Sequence, residues 1–118
     1  MISAYTKQAR EQLKESRLLY RKHLLRIAHM NNGFARWEAQ QKLAEMEETN
    51  RTLQETYLLA TIADEVGIQF GVKDEFNMTV LQLLRREYEL SSKQIAQLCG
   101  VGSDFVYQRI GKLEGSKK

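Results

Sequence analysis

The stretch SSKQIAQLCGVGSDFVYQRI, residues 91–110, decides how the C-terminal part of the chain folds. Ser91 and Gln94 stand in the S-x-x-Q order of a capping box, in which each side chain satisfies a backbone amide at a helix start. Leu90 and Ile95 flank that box at the spacing of a hydrophobic staple. A helix is therefore predicted to start at Ser92. Gly100 stops it directly after Cys99. Gly102-Ser103-Asp104 opens the next helix, with an acid in the first turn where the helix dipole favours negative charge. Phe105, Val106, Ile110 and Leu113 give that helix an apolar face. Two short helices thus meet at a tight turn over one small core: Ile95, Ala96, Cys99, Val101, Val106 and Ile110.

The run I-A-x-x-C-G-V-x-x-x-x-V-x-x-x-I within it resembles the helix-turn-helix of bacterial and phage DNA-binding proteins. The small residue of that pattern falls on Ala96 and the turn glycine on Gly100. The match covers about 20 of the 118 residues, and residues 1–75 carry no resemblance. It implies that the second helix enters the major groove, with Ser103, Asp104, Tyr107, Gln108 and Arg109 as the expected base contacts. Gln108 would pair with adenine, Arg109 would reach guanine or a phosphate, and Asp104 could read a cytosine amino group. Ser92, Lys93 and Gln94 are the expected backbone contacts, and Arg85, Arg86, Lys112, Lys117 and Lys118 would add phosphate contacts.

The function this implies is sequence-specific binding of double-stranded DNA by a small bacterial or phage transcriptional regulator. A homodimer is expected, because two motifs read two half-sites about one helical turn apart. Residues 103–111 hold one acid and one base, so the reading helix is electrically neutral. A second reading therefore stays open: a helical adaptor or inhibitor that docks a protein partner and uses the motif as an interaction surface.

Upstream, Asp74 is expected to cap a helix over about 75–89, with Phe76, Val80, Leu81, Leu83 and Leu84 as its apolar positions. Residues 67–73 alternate Ile68, Phe70 and Val72 and read as a linker. Together residues 74–118 make the expected helix-turn-helix domain. Residues 1–66 read as a long antiparallel helical hairpin, so the fold class is all-α. Ile2, Tyr5, Ala9, Leu13, Ser16, Tyr20, Leu24 and Ile27 recur at steps of three and four along one helical face. Asn31-Asn32-Gly33 supplies the stop, with Gly33 available for a left-handed helix end. A second helix over about 35–65 would run about 45 Å at roughly 1.5 Å per residue.

That second helix carries Leu43, Met46, Asn50, Leu53 and Tyr57 on a heptad seam, the expected self-association surface. Asn50 either fixes register there or is a partly exposed polar residue. Residues 2–30 hold seven Lys/Arg against two Glu, and residues 34–66 hold three against seven Asp/Glu. A folded hairpin brings Arg26 near Glu38, Arg17 near Glu47 and Arg10 near Glu55. The alternative use of Lys7, Arg10, Lys14, Arg17 and Arg21 is a stripe for phosphates. Phe34 and Trp37, just after the turn, cap the hairpin end if buried and mark a partner site if exposed.

Chemistry of other kinds finds little footing. The single cysteine, Cys99, allows no internal disulfide and no zinc site built on paired cysteines, and it fills an apolar position. His23 and His29 are six apart and point to different faces of a helix, so they share no metal. No Ser–His–carboxylate set and no Gly-rich phosphate loop is present. Glu45, Glu47 and Glu48 form a solvated acidic patch. No enzyme activity and no cofactor are expected. The basic N-terminal segment lacks the apolar block of a signal peptide, and no apolar run spans a bilayer, so a cytoplasmic protein without membrane partners is expected.

Overall fold

A computed structural model of the chain describes residues 2–115; Lys117 and Lys118 lie outside the described residues. The protein is all-α. Among the described residues there are five α-helices, one 3-10 turn and no strand. These are α1 (Ala4–Ala28), α2 (Gly33–Val66), α3 (Met78–Arg86), α4 (Ser92–Cys99) and α5 (Ser103–Gly115), with the 3-10 turn at Lys73–Glu75. The chain divides into two compact units, residues 1–58 and 59–118, and the division falls inside α2.

In the first unit, Ser3 caps α1 by accepting the Thr6 amide at 3.1 Å. Thr6, Ala9, Leu13 and Ile27 are buried at helical spacing. The turn after α1 differs from expectation. His29 closes the helix, and Gly33 is not a left-handed stop but the first residue of α2. Asn32 supplies what decides this, because its side-chain oxygen accepts the Phe34 and Ala35 amides at 3.0 and 3.1 Å. Those are first-turn amides without a helical partner, and a glycine has no side chain to satisfy them.

Side-chain contacts join α1 to α2 in antiparallel order. The Ser16 hydroxyl donates to the Asn50 side-chain carbonyl, and Tyr20 donates to Glu47 at 2.8 Å. His23 Nε2 lies 3.0 Å from the Ala39 carbonyl, which can only accept, so Nε2 carries the hydrogen. Among the described residues the expected pairs Arg26–Glu38, Arg17–Glu47 and Arg10–Glu55 do not form. The ion pairs of this unit are local to one helix: Arg10–Glu11, Lys42–Glu45 and Arg51–Glu48. An exposed ion pair gains at most about 1 kcal/mol, which does not hold two long side chains across a hairpin when shorter groups fill the seam.

The second unit has one continuous core. Leu59, Ile62 and Ala63 from the end of α2 pack with Val80, Leu81 and Leu84 of α3, Leu90, Ile95, Ala96, Leu98 and Cys99 of α4 and its entry, and Val106 and Ile110 of α5. The expected helix over 75–89 is shorter at both ends. Asp74 sits in the 3-10 turn, and Asn77 is the cap: its backbone is extended and its side chain accepts the Val80 amide at 2.9 Å. An extended residue at this place is what a cap requires. At the other end α3 stops at Arg86, and Glu89 takes a positive φ of 53°. Leu83, expected in the apolar face, is exposed.

Candidate functional site

The site is built on α4, the turn at residues 100–102, and α5. Ser91 and Gln94 form the full capping box: the Ser91 hydroxyl accepts the Gln94 amide at 3.2 Å, and Gln94 Oε1 accepts the Ser91 amide at 2.9 Å. Gly100 ends α4 at φ 68°, and its N–H bonds back to the Ala96 carbonyl. A Cβ at Gly100 would collide with the backbone carbonyl of Gly71, so the chain passes too closely there for any side chain. Gly71 itself donates to the Leu98 carbonyl at 2.6 Å, which locks the linker onto the end of α4. Nothing in the sequence pattern of residues 67–73 signalled that contact.

From this turn α5 projects with Val106 and Ile110 buried behind it. Ser103, Asp104, Tyr107, Gln108 and Lys112 are exposed, and Tyr107 retains 71% of its surface. Asp104, Gln108 and Lys112 lie four apart on one side of the helix, with Gly111 opening bare backbone beside them. Arg109 behaves differently from these. It is half-buried, and its guanidinium lies over the Phe105 ring, 4.7 Å from the centroid. Phe105 in turn meets Phe76 edge to face at 5.5 Å. Such a cation–π contact contributes on the order of 0.5–1 kcal/mol and holds the arginine against the protein.

The expected phosphate contacts divide in the same way. Lys93, Arg86 and Lys112 are exposed. Ser92 and Gln94 are half-buried, and Gln94 spends its carbonyl oxygen on the capping box. Arg85 is a structural tie: it donates to the Leu90 carbonyl at 3.1 Å and lies 3.4 Å from the Glu114 carboxylate. Lys73 lines an open cleft of about 310 Å³ with Gly100, Val101, Gly102 and Phe105. Placed in a linker, Lys73 carried no periodic signal that could have marked it. Residues 59–118 hold eight Lys/Arg and eight Asp/Glu, so this unit is electrically balanced.

Cys99 is free and buried, and that burial pushes its thiol up to about 11. The thiolate needed for nucleophilic chemistry is thereby disfavoured. Elsewhere, burial, then the hydrogen bond to Glu65 and the carboxylate charges, raises the Tyr88 phenol. The Tyr20 phenol is raised first by its hydrogen bond to Glu47.

On the hairpin, the seam residues Leu43, Met46, Asn50, Leu53 and Tyr57 are half-buried, and Asn50 is engaged by Ser16 of its own chain. Phe34 and Trp37 are exposed, at 70% and 56%, and stack with ring centroids 6.3 Å apart. Among the described residues no helix is long and apolar enough to cross a membrane, and no three His, Cys, Asp or Glu gather to hold a metal ion. No family model, no curated protein and no solved structure matches the chain.

Proposed function

We propose that the protein binds double-stranded DNA sequence-specifically through α5, as a small transcriptional regulator of the bacterial or phage helix-turn-helix kind that acts as a homodimer. The observation that carries this reading is the division of α5 into two faces. Val106 and Ile110 close a core behind a glycine turn, while Ser103, Asp104, Tyr107, Gln108 and Lys112 stand clear of it. Gln108 offers the paired donor and acceptor that adenine requires, and Asp104 accepts from a cytosine amino group. Lys93, Arg86 and Lys112 supply cations for the phosphates, which position the helix without specifying sequence. Arg109, stacked on Phe105, contributes a phosphate or guanine contact only by leaving that ring.

Selection from a random double-stranded DNA library with the full-length protein tests the reading. The expected result is an enriched motif with two related halves. Replacing Tyr107 and Gln108 together by Ala is expected to erase the preference and leave thermal unfolding unchanged. Equal binding of the enriched site by that double variant would overturn the assignment of α5.

A second reading, docking of a protein partner by an adaptor or inhibitor, is favoured by the balanced charge of residues 59–118. The two separate on salt. Contacts with several phosphates weaken steeply as salt rises, and a docking surface built on apolar anchors does not.

A further inference from the structure

One side of the hairpin carries complementary features, of which its own chain uses only some: His23 bonds the Ala39 carbonyl and Lys42 pairs with Glu45. Leu19, Lys22, His23 and Arg26 of α1 and Lys42 and Met46 of α2 line an open cleft of about 590 Å³. Leu19 and Met46 are its apolar lining, and its ionisable groups are all basic. Along α2, Phe34, Glu38, Lys42 and Glu45 recur at steps of four and three, so they share one helical face that borders the cleft through Lys42. Phe34 is stacked on Trp37, and both rings face solvent. Arg26 and Glu38 are exposed and, among the described residues, neither pairs within the chain.

We infer that this side of the hairpin is the self-association surface and that its occupant is a second copy of the same chain. The basic cleft, Glu38 without an ion pair among the described residues, and the aromatic pair lie on one unit, so the patch holds both halves of a complementary contact. A two-fold axis makes such a contact close on itself, since each copy gives its aromatic pair and receives its partner's. The Phe34–Trp37 pair of one copy covers Leu19 and Met46 of the other, and Glu38 of one meets Arg26 and Lys22 of the other. Arg26–Glu38 is then an ion pair made between copies rather than within one. The seam residues Leu43, Met46, Asn50, Leu53 and Tyr57 stay half-buried within each hairpin, with Met46 alone also reaching the contact. Exposed aromatic rings with an adjoining charged rim are the usual anchors of such surfaces. The inference rests on the self-association part of the proposed function and is independent of the DNA part.

Trp37 is the single tryptophan of the chain, so its fluorescence reports this surface directly. The full-length protein, without DNA, is followed by sedimentation and by tryptophan emission over a concentration series. The expected result is a dimer whose formation shifts the emission to the blue. Arg26→Glu and Glu38→Arg, each alone, should raise the dissociation constant about tenfold or more, because each sets like charges opposite one another. Combined in one chain, the two reversals should restore association. Trp37→Ala should weaken it without changing helix content. A monomer with exposed Trp37 at all concentrations overturns the self-association reading as a whole. A dimer that forms with the emission unshifted, or that ignores both charge reversals, overturns only this surface. A blue shift seen solely on adding DNA or another protein gives the patch to that partner and equally overturns the inference.

Discussion

Gly100 answers two demands with one missing side chain. Its backbone is left-handed, which costs a non-glycine residue about 1–2 kcal/mol. Its Cα also faces the Gly71 carbonyl with no room for a methyl group. Gly100→Ala is expected to lower the unfolding free energy by at least about 2 kcal/mol, read from urea melts. The helix stop at Gly100 was legible in the sequence, since a glycine directly after an amphipathic run is a stop signal. The second demand was not, because Gly71 lies far away along the chain. Cys99 offers a test at the same scale. Its buried thiol holds the proton to about 11 against an ordinary 9.0, whereas the unfolded chain releases it earlier. The folded state therefore binds more protons over that range, and stability present below pH 9 is lost as pH rises towards 11. Denaturant midpoints measured from pH 8 upward should fall less steeply in Cys99→Ala than in the parent, and a thiol reagent should label Cys99 only on unfolding.

Among elements, helix starts were read well where two signals agreed and poorly where one stood alone. Ser91 and Gln94 reinforce one another, and α4 begins where they place it. Asp74 and Asn77 are both acceptable caps by residue type, and only the backbone separates them. The chain turns through a 3-10 helix at residues 73–75 and becomes extended at Asn77, so the second candidate receives the free amide. Asn77→Ala is expected to cost about 1 kcal/mol of stability, and Asp74→Ala to stay within about 0.5 kcal/mol of the parent. Equal losses in the two variants, measured by thermal melts, would return the cap to Asp74. The helix pair α1 and α2 was equally legible from apolar spacing, whereas its charge pairing was not. Of the periodic apolar positions in residues 2–27, Ala9, Leu13 and Ile27 are buried whereas Ile2, Tyr5 and Leu24 are exposed, and exposed Arg and Glu side chains answer mainly to solvent and to near neighbours on their own helix. On α5 the inward positions Val106 and Ile110 followed from the pattern, while Arg109 lies over Phe105, four residues back on the same helix, and Phe105 meets Phe76 from the segment before α3.

Across the whole molecule, charge is distributed in a way that bears on any nucleic-acid partner. Residues 1–58 carry ten Lys/Arg and seven Asp/Glu, and residues 59–118 carry eight of each. Phosphate neutralisation by the second unit would thus rely on a few placed cations and not on a general positive field. With Lys93, Arg86 and Lys112 as the phosphate contacts, log affinity should fall against log salt with a slope of about −3 per bound chain. A much steeper slope in a titration of the full-length protein would bring the basic residues of α1 into the interface. A flat one, with binding retained, would favour the docking reading.

The seat of α5 has a consequence for how such a chain can change over time. Residues 71 and 100 meet through main-chain atoms, the Ala96 carbonyl holds the turn, and the capping box fixes the far end of α4. None of these constraints involves Asp104, Tyr107, Gln108 or Lys112. Drift at those four positions leaves the frame intact, so the exposed face can be rewritten by single substitutions without passing through an unfolded intermediate in sequence space. A library randomised at these positions should yield folded members throughout, whatever each of them then binds.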